Sequence, residues 1–300
     1  MNPAPVPIPS PTPTPSPTPT ATPTPSPSPS PVEFGNISTR LSVGTANNVL
    51  IGGFIVTGTQ PKKVVIRAIG PSLIAFGVPG LLANPTLELH DSTGAVISSN
   101  DNWVDSANKQ AIIDSRLAPT SNLESAILMT LNPGAYTAIV SGVNATIGVA
   151  LVEVYDLDST VDSKLANIST RGFVQTGDDV MIGGLIVLGT QPANTIIRAI
   201  GPSLPLAGTL ADPTLELHDG NGTIIASNDN WKDTQESAIQ ATGVAPPMMP
   251  SPQLSRRSLP DHTPPSFAAP TTRRGSPWWR RISSVIEGCR SSGENRNGRC

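Results

Sequence analysis

The chain has 300 residues, a formal net charge of −3 and an aromatic content of 4%. Its two cysteines, Cys289 and Cys300, lie near the C-terminus, so a disulfide framework is excluded for the rest of the chain. No uninterrupted apolar stretch reaches the ~18 residues of a membrane-spanning helix, and no signal peptide is visible after Met1. The sequence therefore predicts a chain without a transmembrane segment.

Residues 1–33 form a Pro/Thr/Ser-rich linker, with proline at nearly every odd position from Pro3 to Pro31. Such a segment has almost no apolar side chains to bury and favours a disordered, extended polyproline-type chain. At about 3.1 Å per residue it would be a semi-rigid spacer of roughly 90 Å. A ligand for proline-binding domains is the alternative, and a spacer is the favoured interpretation. Because a stalk at the very start separates nothing, we expect Met1 to be an internal or mis-assigned start downstream of an exported domain.

A tandem repeat follows the linker. The segment NISTRLSVGTANNVLIGGFIVTGTQPKKVVIRAIGPSL from Asn36 returns from Asn167 as NISTRGFVQTGDDVMIGGLIVLGTQPANTIIRAIGPSL. The segment NPTLELHDSTGAVISSNDNW from Asn84 likewise returns from Asp212. We therefore divide the chain into a complete repeat (34–166), a truncated second repeat (167–247) and a tail (248–300).

The elements of each repeat are strands and turns, taken here in chain order. VLIGGFIVTG and KVVIRAIG are β-branched runs, TLELHD alternates with Leu87 and Leu89 on one face, and AYTAIVSG and GVALVEVYDL close the unit. Only residues 106–117 favour a helix. Seven or eight short strands predict an all-β, jelly-roll-like β-sandwich. The glycine pairs of this pattern mark either a bulge or a close contact between strands; they are Gly52-Gly53 and Gly183-Gly184.

These residues carry a resemblance. The string IRAIGPSL…DPTLELHD…SNDNW…YTAIVSG…GVALVEVYDL resembles a tandem repeat of uncharacterised exported bacterial proteins. The second half of the repeat, residues 84–156, is similar to the bacterial pre-peptidase C-terminal domain, a small β-sandwich attached to secreted enzymes and surface proteins. The resemblance implies an accessory module outside the cell, with no chemistry of its own.

The tail does not continue the second repeat in the frame as written. If each codon began on the third base of the written one, the pairs from Thr263-Pro264 to Trp279-Arg280 would permit TAIVRGANNTTGVALVE. The first repeat reads TAIVSGVNATIGVALVE over 137–153, and the two agree at thirteen of seventeen positions. Trp278-Trp279 leaves no freedom and forces valine, as the repeat requires. We therefore predict that residues 248–300 are a frameshifted, disordered tail.

The frame shift changes how the charge is interpreted. Residues 1–247 carry 10 Lys+Arg against 19 Asp+Glu, a net of −9, whereas residues 248–300 carry 9 against 3, a net of +6. Arginine pairs next to Trp278-Trp279 would otherwise suggest a nucleic-acid site. As the product of a shifted frame they have no selected role, and we expect no nucleic-acid partner.

The candidate site is the loop SNDNW, which occurs once in each repeat. Clustered carboxylate and amide oxygens suit Ca²⁺, although EF-hand spacing is absent and an Asx-rich turn is the favoured alternative. The tryptophan of the loop would stack on a sugar ring or, more commonly, pack over the sheet edge. The candidate metal ligands are Asp91, Asn100, Asp101, Asp105, Asp219, Asn228, Asp229 and Asp233, and the candidate stacking residues are Trp103 and Trp231.

No catalytic motif is recognised in the sequence. Gly70-Pro71-Ser72 returns in the second repeat, but no histidine is recognisably placed to activate the serine, and His90 alternates with leucines on a strand. We therefore expect no enzyme and no obligatory cofactor. The favoured function is a structural or adhesive module at the cell surface or beyond, with an unidentified polysaccharide or protein as its partner. The alternative is a carbohydrate- or calcium-binding accessory module of a secreted enzyme.

Overall fold

The computed structural model describes Met1 and residues 32–246, together with the backbone of 253–258 and 284–286. Most of the predicted stalk and most of the predicted tail lie outside the described residues. The extended conformation of the stalk and the disorder of the tail therefore stay predictions.

The described part of the first repeat confirms the all-β prediction, with eight strands, one short α-helix and a few 3₁₀ turns. Its strands are β1 (Glu33–Val43), β2 (Leu50–Thr57), β3 (Lys62–Ile69), β4 (Pro85–His90), β5 (Val96–Asn100), β6 (Ser125–Leu131), β7 (Gly134–Gly142) and β8 (Gly148–Asp156). Helix α1 (Lys109–Asp114) lies inside the range 106–117 for which the sequence predicts a helix, and it is shorter than that range.

The second repeat follows the same order as far as its sequence follows the first. Its elements are β9 (Lys164–Arg171), β10 (Ile182–Leu188), β11 (Ala193–Arg198), β12 (Leu215–His218), β13 (Ile224–Asn228) and α2 (Glu236–Ala241). Two strands lie in the tail, β14 (Gln253–Ser258) and β15 (Ser284–Ile286).

Alternating side chains place the strands on a common core. In β4, Leu87 and Leu89 are buried whereas Glu88 between them is exposed, because successive side chains of a strand point to opposite faces. Strand β8 contributes Val152 to the same core, and β2 contributes Phe54 from the opposite sheet. The fold is therefore a β-sandwich with antiparallel strands.

Each of the two large sheets contains strands of both repeats. One sheet has the order β13-β12-β15-β10-β1-β8-β3-β6, the second has the order β5-β4-β7-β2-β9, and β11 pairs with β14 by itself. Strand β1 thus pairs with β10 of the second repeat, and β9 pairs in turn with β2 of the first repeat. The first strand of each repeat thus pairs with the second strand of the other repeat, which we call the exchange of first strands, while β1 also pairs with β8 of its own repeat.

The exchange is symmetrical in register. Thr39 is paired with Gly183 across β1 and β10, and the equivalent Thr170 is paired with Gly52 across β9 and β2. The hydroxyl groups of Thr39 and Thr170 are 2.7 Å apart and share a hydrogen bond. Because the two threonines are equivalent residues of the two repeats, they lie on a local twofold axis that relates β1 to β9.

The paired glycines allow this close approach. A Cβ atom on Gly52 would lie 3.2 Å from the Val152 side chain, and one on Gly53 would lie 3.3 Å from the carbonyl oxygen of Ser169. Both distances are tighter than ordinary van der Waals contacts. Of the two sequence-based alternatives for the glycine pair, the structure therefore shows the close contact between strands.

The twofold relation also shows where the second half of the molecule differs from the first. Strands β5, β4, β7, β2 and β9 follow each other in one sheet as β13, β12, β15, β10 and β1 do in the other, and β11 pairs with β14 as β3 pairs with β6. In the first repeat β8 joins β1 to β3. Among the described residues no strand joins β9 to β11.

Candidate functional site

The amides of the SNDNW loops are engaged by the protein itself. Asn100, at the end of β5, donates through Nδ2 to the carbonyl of Asn102 (3.1 Å) and accepts from the backbone N–H of Ala126 (2.9 Å). Asn228 in the second repeat is buried and donates to the carbonyl of Asn230 (3.0 Å). Both side chains therefore hold the loop in place rather than pointing towards a ligand.

The predicted carboxylate ligands are spread over both ends of a hairpin. Asp101 and Asp105 are exposed at the SNDNW end, as are their equivalents Asp229 and Asp233. Asp91 lies in the turn at the other end of the β4–β5 hairpin, separated from Asn100 by the length of β5. Among the described residues no group of three or more His, Cys, Asp or Glu side chains could hold a metal ion.

Asp91 and Asp219 each close a hairpin turn. Asp91 Oδ1 accepts from the hydroxyl and the backbone N–H of Thr93 (2.6 and 2.8 Å), and Asp219 Oδ1 accepts from the backbone N–H groups of Thr223 and Asn221 (2.9 and 2.8 Å). These hydrogen bonds lower the pKa of both carboxyl groups, since they favour the charged form. This geometry is that of an Asx turn.

The two tryptophans are core residues. Trp103 packs with Ile112 and Ala126 beside the sheet, and its Nε1 donates to the carbonyl of Ser121 (3.0 Å). Trp231 is 4% exposed. Neither ring presents an open face large enough for a sugar, so the packing alternative describes both.

The histidines and the GPS serine are likewise held within local contacts. Nδ1 of His90 lies 3.0 Å from the carbonyl oxygen of Gly94 in its own hairpin, and Nε2 lies 3.2 Å from Glu88. Ser72 shares a hydrogen bond with Thr120 (2.6 Å) and donates to Glu124 (2.6 Å). No histidine is among the hydrogen-bond partners of Ser72, and its environment is that of a turn.

Sequence reasoning missed the buried carboxylate of Glu124. Its oxygens accept from the backbone N–H groups of Gly70 (3.0 Å) and Ser72 (2.8 Å) as well as from the Ser72 hydroxyl. Glu124 is fully buried, so these donors compensate for the loss of water around its charge. The residue clamps the repeated GPS turn onto the start of β6. The sequence offered the repeated IRAIGPSL as a signal, but nothing in it identifies the acceptor.

A second group that the sequence did not reveal is the buried ion pair between Arg67 and Glu153, which joins β3 to β8. Arg67 donates through Nε to Glu153 Oε2 (3.0 Å) and through a terminal nitrogen to the same oxygen, and the Tyr155 hydroxyl donates to Glu153 Oε1 (2.9 Å). Burial acts to lower the pKa of Arg67, but the neighbouring Glu153 charge outweighs it and raises the pKa overall. Burial and Glu153 also raise the pKa of Tyr155 above its usual range. The guanidinium is oriented by a further bond to the carbonyl of Leu117 (2.7 Å).

The equivalent groups of the second repeat lack these partners. Two buried polar atoms of the second repeat have no hydrogen-bond partner among the described residues. They are the hydroxyl of Ser203, the equivalent of Ser72, and the indole nitrogen of Trp231. Their counterparts bond to Glu124 and Ser121, which lie where the two repeats cease to agree in sequence. The positions of the second repeat that are equivalent to these two acceptors lie outside the described residues.

No family model, no curated protein and no solved structure matches the chain. Within the described ranges, no helix is long and apolar enough to cross a membrane.

Proposed function

We propose that the chain is a non-catalytic structural or adhesive module, exported to the cell surface or beyond, in which two repeats form one mechanical unit. The observation that supports this proposal is the reciprocal exchange of β1 and β9. Exchanged strands cannot separate without breaking a sheet in each repeat, so the pair would resist being pulled apart. The resemblance to repeats of exported bacterial proteins favours the same assignment.

The engaged side chains also favour a structural role. Glu124, Arg67 and Glu153 each hold one strand or turn to another, and the amide of Asn100 holds the loop beside β6. Residues used in this way rigidify a fold. A surface module carried on a proline-rich spacer requires that rigidity.

Export is tested with an antibody raised against residues 33–166. We expect it to label intact cells that express the gene from its natural locus, and we expect brief protease treatment of those cells to remove the signal. Labelling only after the cells are permeabilised would contradict the proposal.

Binding of calcium or sugar separates this proposal from the accessory-module alternative. A ligand that binds the native state raises the melting temperature by mass action. We expect the full chain to melt at the same temperature in excess calcium and in chelator, and on a glycan array we expect no specific signal. A calcium-dependent shift that is abolished by Asp101→Asn with Asp105→Asn would favour the alternative.

A further inference from the structure

We infer that the gap between β9 and β11 is a docking slot for one extended strand of the β8 type, supplied by another repeat of this kind. We call this gap the open slot. The inference does not depend on the proposed function, since it rests on a comparison of the two halves of the fold. In the first repeat the same position is filled by Gly148–Asp156, which pairs with β1 on one side and with β3 on the other.

The β9 edge has the exposure expected of an unfilled position. Asn36 on β1 is 4% exposed and donates to the carbonyl of Val154 on β8 (3.3 Å), whereas its equivalent on β9, Asn167, is exposed. Ile37 is 1% exposed, whereas its equivalent Ile168 is only half-buried. The donors and the apolar side chains that hold β8 are thus repeated on β9, and no described strand covers them there.

The β11 edge shows the same difference. Val65 and Ile66 on β3 are fully buried, whereas the equivalent residues Ile196 and Ile197 are half-buried. Strand β11 pairs with β14 on one side, and among the described residues no strand pairs with its other side. An unpaired strand edge is a template for the addition of a strand, and the described residues leave one such edge on β9 and one on β11.

Arg198 gives the open slot its chemical preference. It is the equivalent of Arg67, and it makes the equivalent bond to a carbonyl, that of Val244 (2.8 Å). No carboxylate forms an ion pair with it in the described part of the chain, whereas Arg67 is paired with Glu153 of β8. A strand that fills the open slot should therefore carry a glutamate opposite Arg198 and β-branched residues on its core-facing side.

The sequence of β8 meets these requirements. In GVALVEVYD the side chains of Val152 and Val154 belong to the buried core, and Glu153 between them is in register with Arg67. The out-of-frame segment of the tail permits GVALVE at the corresponding positions. We therefore assign the β8 sequence itself as the occupant of the slot.

The test adds a labelled peptide, GVALVEVYDLD (residues 148–158), to the full chain and follows fluorescence anisotropy. We expect saturable binding at one peptide per chain and a higher melting temperature. A peptide with Val152→Pro should not bind, because proline removes a donor from the ladder and cannot occupy a central strand.

Charge exchange separates docking in the open slot from non-specific association. Arg198→Glu should weaken binding of the original peptide by roughly tenfold or more, since it opposes Glu153 with a like charge. A peptide with Glu153→Arg should bind the Arg198→Glu chain better than it binds the original chain. Arg198 is exposed, so the substituted chain should fold, and an unchanged far-UV spectrum is the control.

Two outcomes would overturn the inference. One is the absence of saturable binding to the full chain. The other is binding that Arg198→Glu leaves unchanged, because a peptide that associates elsewhere would not respond to the charge in the slot. Neither outcome affects the proposed export, which the antibody experiment tests separately.

Discussion

The two repeats carry the same IRAIGPSL segment, yet that segment is buried and bonded in one repeat and half-covered in the other. Arg67 is held by Glu153 and Ser72 by Glu124, whereas Arg198 has no carboxylate and Ser203 no partner among the described residues. The segment is identical, but the partners come from residues more than fifty positions later in the chain. The comparison shows that the strand β3 owes its environment to β6 and β8, not to its own sequence.

The largest expected effect on stability comes from adding the sequence of β6 to β8 to the second repeat. In a chain where residues 120–158 of the first repeat follow Pro246, β9 and β11 gain a strand between them, and Ser203 and Trp231 gain partners. We expect the free energy of unfolding to rise by about 3–6 kcal/mol, because each large buried side chain contributes ~1.5–3 kcal/mol against the cost of ordering the strand. Amide hydrogen exchange in β9 and β11 should slow. The same addition with Val152→Pro in the added copy is the control, and unchanged exchange in β9 and β11 would refute the assignment.

Substitution of the equivalent residues Arg67 and Arg198 tests the difference between the two repeats at one position. Arg67→Ala leaves Glu153 buried without its cation and should cost about 3–5 kcal/mol of stability. Arg198→Ala removes an exposed side chain and should change stability by less than about 0.5 kcal/mol. Denaturant titration of the two variants measures both values. Similar losses at the two positions would show that Arg198 is already paired.

Substitution of the equivalent serines Ser72 and Ser203 should change stability by less than the loss of Arg67, and the two changes should differ in sign or size. Ser72→Ala removes a hydroxyl that donates to Glu124 and should cost about 1–2 kcal/mol, because three backbone donors to that carboxylate remain. Ser203→Ala removes a buried hydroxyl that has no hydrogen-bond partner among the described residues, and it should be neutral or stabilising. Thermal melts of the matched pair decide this point, and a clear loss from Ser203→Ala would mean that the hydroxyl has a partner.

The smallest effect is the dependence of stability on acid. Hydrogen bonds lower the pKa values of Asp91, Asp158, Asp162 and Asp219 below their usual 3.8, so folding favours the charged forms. This contribution is fully present above about pH 4 and is lost as the pH falls through the lower values of the folded state. We expect the melting temperature to decline gradually below pH 4, and Asp91→Asn to reduce the slope. A profile that Asp91→Asn does not change would show that the turn contributes nothing.

Much of the fold follows from local pattern. The alternation around Leu87 and Leu89 and the β-branched runs predict the strands, and Gly52-Gly53 predicts either a bulge or a close contact. Local pattern could not reveal that β9 begins at Lys164, ahead of the predicted start of the second repeat at 167, and completes the sheet of the first repeat. Strand exchange depends on pairing between residues far apart in the chain, and an Asn-Ile-Ser-Thr-Arg strand has the same sequence in either repeat.

The candidate site shows the same limit. Clustered Asn and Asp predict either a cation site or turns, and only the contacts of Asn100 and Asp91 distinguish the two. Glu124 and Glu153 could not be singled out from sequence, because their roles depend on which donors the sheets bring to them. Repetition identified Arg67 and Ser72 as special without giving their partners.

The reciprocal exchange is tested most directly by a disulfide that links β1 to β9 across the local twofold axis. The hydroxyl oxygens of Thr39 and Thr170 are 2.7 Å apart, so cysteines at both positions are within reach of a disulfide. With Cys289→Ser and Cys300→Ser as background, Thr39→Cys with Thr170→Cys should form an intramolecular disulfide that mass spectrometry of a proteolytic digest detects. Two free thiols, or a bond only between separate chains, would contradict the exchange of strands.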